Sequence, residues 1–217
     1  RLAGVNYSNN YWESQGVRRS SNCDLGWGFN VPTQNLVDAY ETGDPRKAAT
    51  ILFSGQDDGF GLTVPASPPL AQPYWNKKAY TTPSIRQNYG INKNHWKNIK
   101  ILRYADVLLM AAEAANESGN SSKASGYLEM IRARARGTST VLPKVTDLSQ
   151  SGLRTAIKHE RRIELAMENE RFYDLVRWGD ASAVLGGLGY QDKNRHYPIP
   201  QTAIDQSGGV LKQNPNY

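Results

Sequence analysis

The 217-residue chain has one cysteine, three histidines and no long apolar run. A single thiol, Cys23, makes no internal disulfide. His95, His159 and His196 stand far apart, with no HxH or HExxH spacing, and no GxSxG elbow is present, so nothing local suggests a zinc centre or a catalytic triad. Asp57-Asp58-Gly59 lacks the further oxygen ligands and the closing acid of an EF-hand loop. A surface turn is expected there, with calcium held by nearby carbonyls left open and no cofactor expected. No segment reaches the roughly 18 apolar residues of a membrane-spanning helix, and Arg1-Leu2-Ala3-Gly4 does not read as the start of an export signal.

What the chain does have is an apolar fraction of 39%, enough for a core, and a net charge of +6. Residues 1–96 carry nine Lys+Arg and seven Asp+Glu, residues 97–180 carry 14 and 11, and residues 181–217 carry three and two. The surplus is spread along the chain, whereas phosphate-backbone binding favours clustered cations. No nucleic-acid partner is expected.

Composition changes near Trp96, dividing the chain into regions 1–96 and 97–217. The first holds 13 of the 21 aromatics and seven of the 11 prolines, with punctuation such as Gly26-Trp27-Gly28 and Pro65-Ala66-Ser67-Pro68-Pro69. It reads as loops, turns and a few short strands, with one short helix over residues 32–40 ended by Gly43. From Ile99 the apolar period becomes 3.6. Ile101, Ala105, Leu108, Ala112 and Ala115 are expected inward, with Leu102, Val107, Leu109 and Ala111 widening that face. A second helix, 122–136, closes at Gly137 and makes an antiparallel hairpin like one tetratricopeptide unit. A solenoid needs about three such units, so part of the fold is expected outside this chain. A third helix runs after Asp147 or Ser149 to Glu168, broken at Asn169. A further short helix spans 171–178, and an extended tail follows from His196.

Two sets of side chains could carry function. Glu160, Glu164 and Glu168 recur every four residues, with Cβ atoms roughly 5–6 Å apart in each pair, near the carboxyl separation of about 5–5.5 Å in retaining glycosidases. Arg161, Arg162, Arg171 and Arg177 lie close by, and a neighbouring guanidinium lowers a carboxyl pKa where a general acid needs it raised. Glu160, Arg161, Glu164, Glu168, Arg171, Asp174 and Arg177 are therefore read as structural ion pairs, with a glycosidase on Glu160 and Glu164 as the lesser alternative. The second set is the aromatics of the first region, which sit among Asn and Gln residues. Flat rings cover the apolar faces of sugars while amides and Arg18 or Arg19 bond hydroxyls. Tyr11, Trp12, Trp27 and Trp75 are the nominated ligand-binding residues.

The segments Leu102-Arg103-Tyr104-Ala105-Asp106-Val107-Leu108-Leu109-Met110-Ala111-Ala112-Glu113-Ala114, Glu160-Arg161-Arg162-Ile163-Glu164-Leu165-Ala166-Met167-Glu168, Arg171-Phe172-Tyr173-Asp174-Leu175-Val176-Arg177-Trp178-Gly179, Tyr197-Pro198-Ile199-Pro200 and Gln213-Asn214-Pro215-Asn216-Tyr217 carry a resemblance. So do Asn35-Leu36-Val37-Asp38-Ala39-Tyr40 and Asp44-Pro45-Arg46. Together the chain resembles the C-terminal portion of the SusD/RagB family of outer-membrane nutrient-binding lipoproteins. Asn169 stands where that family usually has Gly, and Asn is the next-best residue for a left-handed turn.

The resemblance implies a mainly α, SusD-like fold, with a tetratricopeptide-like hairpin and further helices packed with a loop-rich region. It implies a non-catalytic lid over a SusC-like TonB-dependent transporter, binding glycans at the cell surface, or peptides in the alternative. Its lipid anchor would precede this chain, since Cys23 follows no apolar stretch. The motifs that carry the resemblance are structural, and they transfer no ligand residue.

Overall fold

The computed structural model describes residues 10–18, 24–68, 70–89 and 98–217, without the side chains of Asn88 and Tyr89. Tyr7, Arg19, Cys23, His95 and the compositional change near Trp96 lie outside the described residues. The chain forms two compact units, Arg1–Glu168 and Asn169–Tyr217.

The first unit begins with short elements, as its density of glycine and proline dictates. They are α1 (Asn10–Glu13), α2 (Gln34–Val37), α3 (Pro45–Thr50), β1 (Ile51–Phe53), β2 (Tyr74–Asn76) and α4 (Pro83–Tyr89). The start of α3 is set locally. Pro45 occupies its first turn, where the missing N–H costs nothing, and the Asp44 carboxylate accepts from the Arg46 amide at 2.9 Å. Where α3 ends, Ile51 turns extended and the chain passes into β1, which pairs antiparallel with β2 in the register Leu52 to Trp75. Both residues enter a small core with Val17, Leu25, Val64, Leu70 and Tyr80.

Three longer helices follow: α5 (Tyr104–Glu117), α6 (Ser121–Arg136) and α7 (Gln150–Glu164). Asn120 caps α6 by accepting from the Lys123 amide, and Ser149 caps α7 by accepting from the Gly152 amide. Their facing stripes meet in one core of Leu108, Leu109, Ala112, Ala124, Leu128, Ile131, Leu153 and Ile157. Each buried Leu or Ile there contributes about 1.5–3 kcal/mol. A third cluster, Val37, Tyr40, Ile51 and Ile163, joins the loop-rich region to α7. Thus the irregular segment is anchored on the same helix that carries the glutamates.

Two expectations for these helices are corrected. The first helix of the hairpin begins at Tyr104, not Ile99, because Arg103 is extended (φ −138°, ψ 159°) as its N-cap residue. Ile101, expected inward, is 83% exposed, and Leu102 and Val107 are also exposed, so the buried face is narrower than the apolar pattern suggests. Likewise α7 stops at Glu164 rather than Glu168. Met167 and Asn169 adopt left-handed φ values of 65° and 71°, which no helix of L-residues continues through.

The second unit contains α8 (Arg171–Arg177), α9 (Ala181–Leu185) and α10 (Gln201–Gln206). Gly179, at φ 75°, ends the first of these. The tail, expected to be extended, includes α10. The Gln213 side chain accepts from the Ile199 amide and donates to the Ile199 carbonyl, both at 2.8 Å, holding the chain on either side of that helix together.

Candidate functional site

Helix α7 brings Glu160 and Glu164 to the centre of an ionic network assembled from distant elements. Glu160 is fully buried and accepts from Arg46 on one oxygen and from Arg132 at 3.0 Å on the other. Arg132, on α6, also holds Glu41 at 2.7 Å. Glu164 accepts from Arg46 at 3.1 Å, Arg103 at 2.6 Å and Arg134 at 2.7 Å. Glu168, displaced from the helix by the Met167 turn, is bound by Lys78 at 2.5 Å and Arg103 at 2.6 Å. Arg161, on the same helix, is paired with Asp106 of α5 at 2.8 Å. In the second unit Arg177 Nε donates to Asp174 at 2.9 Å, and Arg171 is half-buried at the start of α8.

This geometry sets the protonation of the acids. Burial pushes the Glu164 carboxyl up, but hydrogen bonds and charge from Arg103 and Arg134 outweigh it and hold the group at about 2. Burial likewise opposes ionisation of Glu168, and Arg103 and Lys78 bring its pKa below the ordinary carboxylate value. A carboxylate held so low is a poor proton donor near neutrality. Burial also lowers the pKa of His159, against the pull of Glu41 and Glu160.

The four nominated rings fall into different environments. Trp75 is corrected to a core residue. It is 1% exposed, and its indole N–H donates to Ser54 Oγ at 2.9 Å, so neither face is open to a ligand. Tyr11 and Trp12 pack edge to face, centroids 4.9 Å apart, in the wall of a cavity of about 790 Å³. Trp12 is largely buried and Tyr11 half-exposed. Trp27 is 44% exposed and stands beside Phe29, 59% exposed, with centroids 6.5 Å apart and planes at 89°. Phe29 is not among the four nominated rings, although its place two residues after Trp27 across Gly28 is a signal for it.

The Trp27–Phe29 pair rests on a prepared backbone. The amides of Trp27, Gly28 and Phe29 donate to the carbonyls of Glu13, Gly16 and Ser14 at 3.0, 3.0 and 2.8 Å. That approach needs glycine on both sides. A Cβ on Gly26 would lie 1.9 Å from the Glu13 oxygen, and one on Gly16 2.3 Å from the Leu25 oxygen. Asn30 Nδ2 donates to Gln15 Oε1, which also receives Asn76 Nδ2. Two large rings are thus exposed on an ordered segment, the arrangement that an apolar ligand face would cover.

At Asp57 and Asp58 the carboxylates are used within the loop. Asp58 accepts from the amides of Phe60 and Leu62 and from the Tyr80 hydroxyl at 2.6 Å, and Asp57 accepts from the Gly59 amide. Among the described residues no group of three or more His, Cys, Asp or Glu is placed to hold a metal ion. None of their helices is long and apolar enough to cross a membrane.

Residues 2–195 match the SusD family. The curated SusD-like protein P2 of Formosa agariphila is 30% identical over the whole of this chain, which spans 46% of that relative's length. A laminarin-binding SusD-like protein superposes with a TM-score of 0.72 at 32% identity, over 98% of this chain and 45% of its own. Surface glycan-binding protein A of Bacteroides thetaiotaomicron superposes with a TM-score of 0.66 at 25% identity, over 95% and 46% of the two chains. The mainly α architecture of hairpin, α7 and loop-rich region is that of these structures, and the chain belongs to the SusD family.

Proposed function

We propose that this chain carries a glycan-binding surface of a non-catalytic, cell-surface SusD-like protein, which passes its ligand to a TonB-dependent transporter. The observation that carries this reading is the exposed Trp27–Phe29 pair on a segment held by three backbone hydrogen bonds. Rings fixed in advance stack on the C–H face of a sugar with little ordering cost. The glycan-binding names of the laminarin-binding and surface glycan-binding relatives support the same ligand class. The glycosidase alternative finds no support in the acids. Glu160 is bound on both oxygens by arginine, and Glu164 is held ionised.

Affinity electrophoresis through gels containing soluble polysaccharides tests the reading. Retardation by at least one polysaccharide is expected, reduced about tenfold or more in affinity by the double change Trp27→Ala and Phe29→Ala with thermal unfolding unchanged. Undiminished retardation of that variant removes the platform. Retardation by no polysaccharide, with calorimetric binding of mixed peptides, replaces the glycan by a peptide ligand on the same lid.

A further inference from the structure

The cavity beside α1 differs in character from the Trp27–Phe29 surface. Six cationic side chains line it against two carboxylates, Glu164 and Glu168. Both acids already hold arginine or lysine, and Arg46 is matched behind the wall by Asp44 and Glu160. The remaining positive charge is therefore concentrated on three groups. Lys77 and the exposed Lys100 make no ion pair among the described residues, Lys77 having only the Phe60 ring 5.6 Å from its ammonium. Arg134, with its side chain 57% exposed, spends one nitrogen on Glu164, and its others make no hydrogen bond among the described residues. Tyr11 and Trp12 supply an aromatic wall to the same space. An open cavity of about 790 Å³ is large enough for one or two sugar rings.

We infer that this cavity selects an acidic glycan, placing a carboxylate or sulfate of the sugar against Lys77, Lys100 and Arg134 while a ring lies along Tyr11 and Trp12. Cations that are not fully neutralised around a partly enclosed space attract an anion more strongly than the same charges on a flat surface, since the low-dielectric walls focus the field. Arg134 keeps N–H donors beyond the nitrogen that holds Glu164, and these and each lysine can add a charge-assisted hydrogen bond to a carboxylate or sulfate. A neutral glycan would leave that charge uncompensated. The inference rests on the glycan reading above and narrows it to a chemical class.

The test runs the whole protein through gels containing polygalacturonate as the carboxylated probe, carrageenan as the sulfated probe and laminarin as the neutral one. Retardation by one acidic polysaccharide is expected, weakened about tenfold or more by Lys77→Gln with Lys100→Gln and weakened again by added salt. Lys212→Gln, in the second unit, should leave it unchanged. Neither lysine of the double variant makes an ion pair among the described residues, so its unfolding temperature should match that of the parent. The probe that is retained separates a carboxylate from a sulfate ligand. Retardation by laminarin alone overturns the acidic class while keeping the glycan function. Acidic binding that survives the double lysine change overturns the assignment to this cavity. Retardation by none of the three or any other polysaccharide removes the glycan reading itself.

Discussion

Glu164 shows how much of this protein depends on a single side chain. Its carboxylate is nearly inaccessible, yet it meets Arg46, Arg103 and Arg134, brought from α3, the N-cap of α5, and α6. The folded-state pKa of about 2 lies below the ordinary value of 4.5, so the folded state favours the ionised form. Its stabilisation is complete above about pH 4.5 and is lost as the pH falls toward 2, on the order of 3 kcal/mol for this group. Urea unfolding across that window should show stability falling with acidity, and Glu164→Gln should flatten that limb. An unchanged acid limb in the variant would mean that other carboxylates control it. The sequence points to arginine as the partner of these acids, but it does not say which arginine. Arg46 and Glu160 are 114 residues apart, and no local spacing rule reaches that far.

Among the elements, the segment holding Trp27 and Phe29 has the narrowest tolerance. Its contact with the turn after α1 is backbone on backbone, so no flexible side chain can move aside for an added methyl group. Gly26→Ala should therefore detach the segment, raising amide exchange at Trp27, Gly28 and Phe29 and weakening polysaccharide binding, with protection in α5 to α7 retained. Retained protection at 27–29 would show that the backbone yields without losing the platform. The long helices were legible because a 3.6-residue period and polar caps act locally, as in α6 from Asn120 to Gly137. What tertiary structure decides was less legible. Arg103 reaches back to Glu164 and Glu168, and α5 starts only after it. The left-handed Met167 beyond α7 turns Glu168 toward Lys78. Trp75 read as a possible platform because its three-residue strand is too short to reveal which face is covered. Trp27 is another tryptophan among breakers, and only the fold separates the buried ring from the open one.

At the scale of the molecule, the first unit joins a loop-rich region to a helical one chiefly through α7, by the apolar contact of Ile163 with Ile51 and Tyr40 and by the arginines converging on Glu160 and Glu164. The ion pairs that Arg46 makes with α7 close loops of 114 and 118 residues, far longer than those closed by the α5–α6 hairpin. Contacts between such distant segments carry a large loop-closure cost and are expected to form after the local helices have packed, so that their loss falls mainly on the unfolding rate. The network should then act as a latch in time more than as a guide to folding. In stopped-flow measurements Arg46→Ala should accelerate unfolding strongly and slow refolding little, whereas an equal loss on the refolding limb would place the network in the folding nucleus. A protein held closed by its slow release keeps its binding surface intact long after conditions have turned against it.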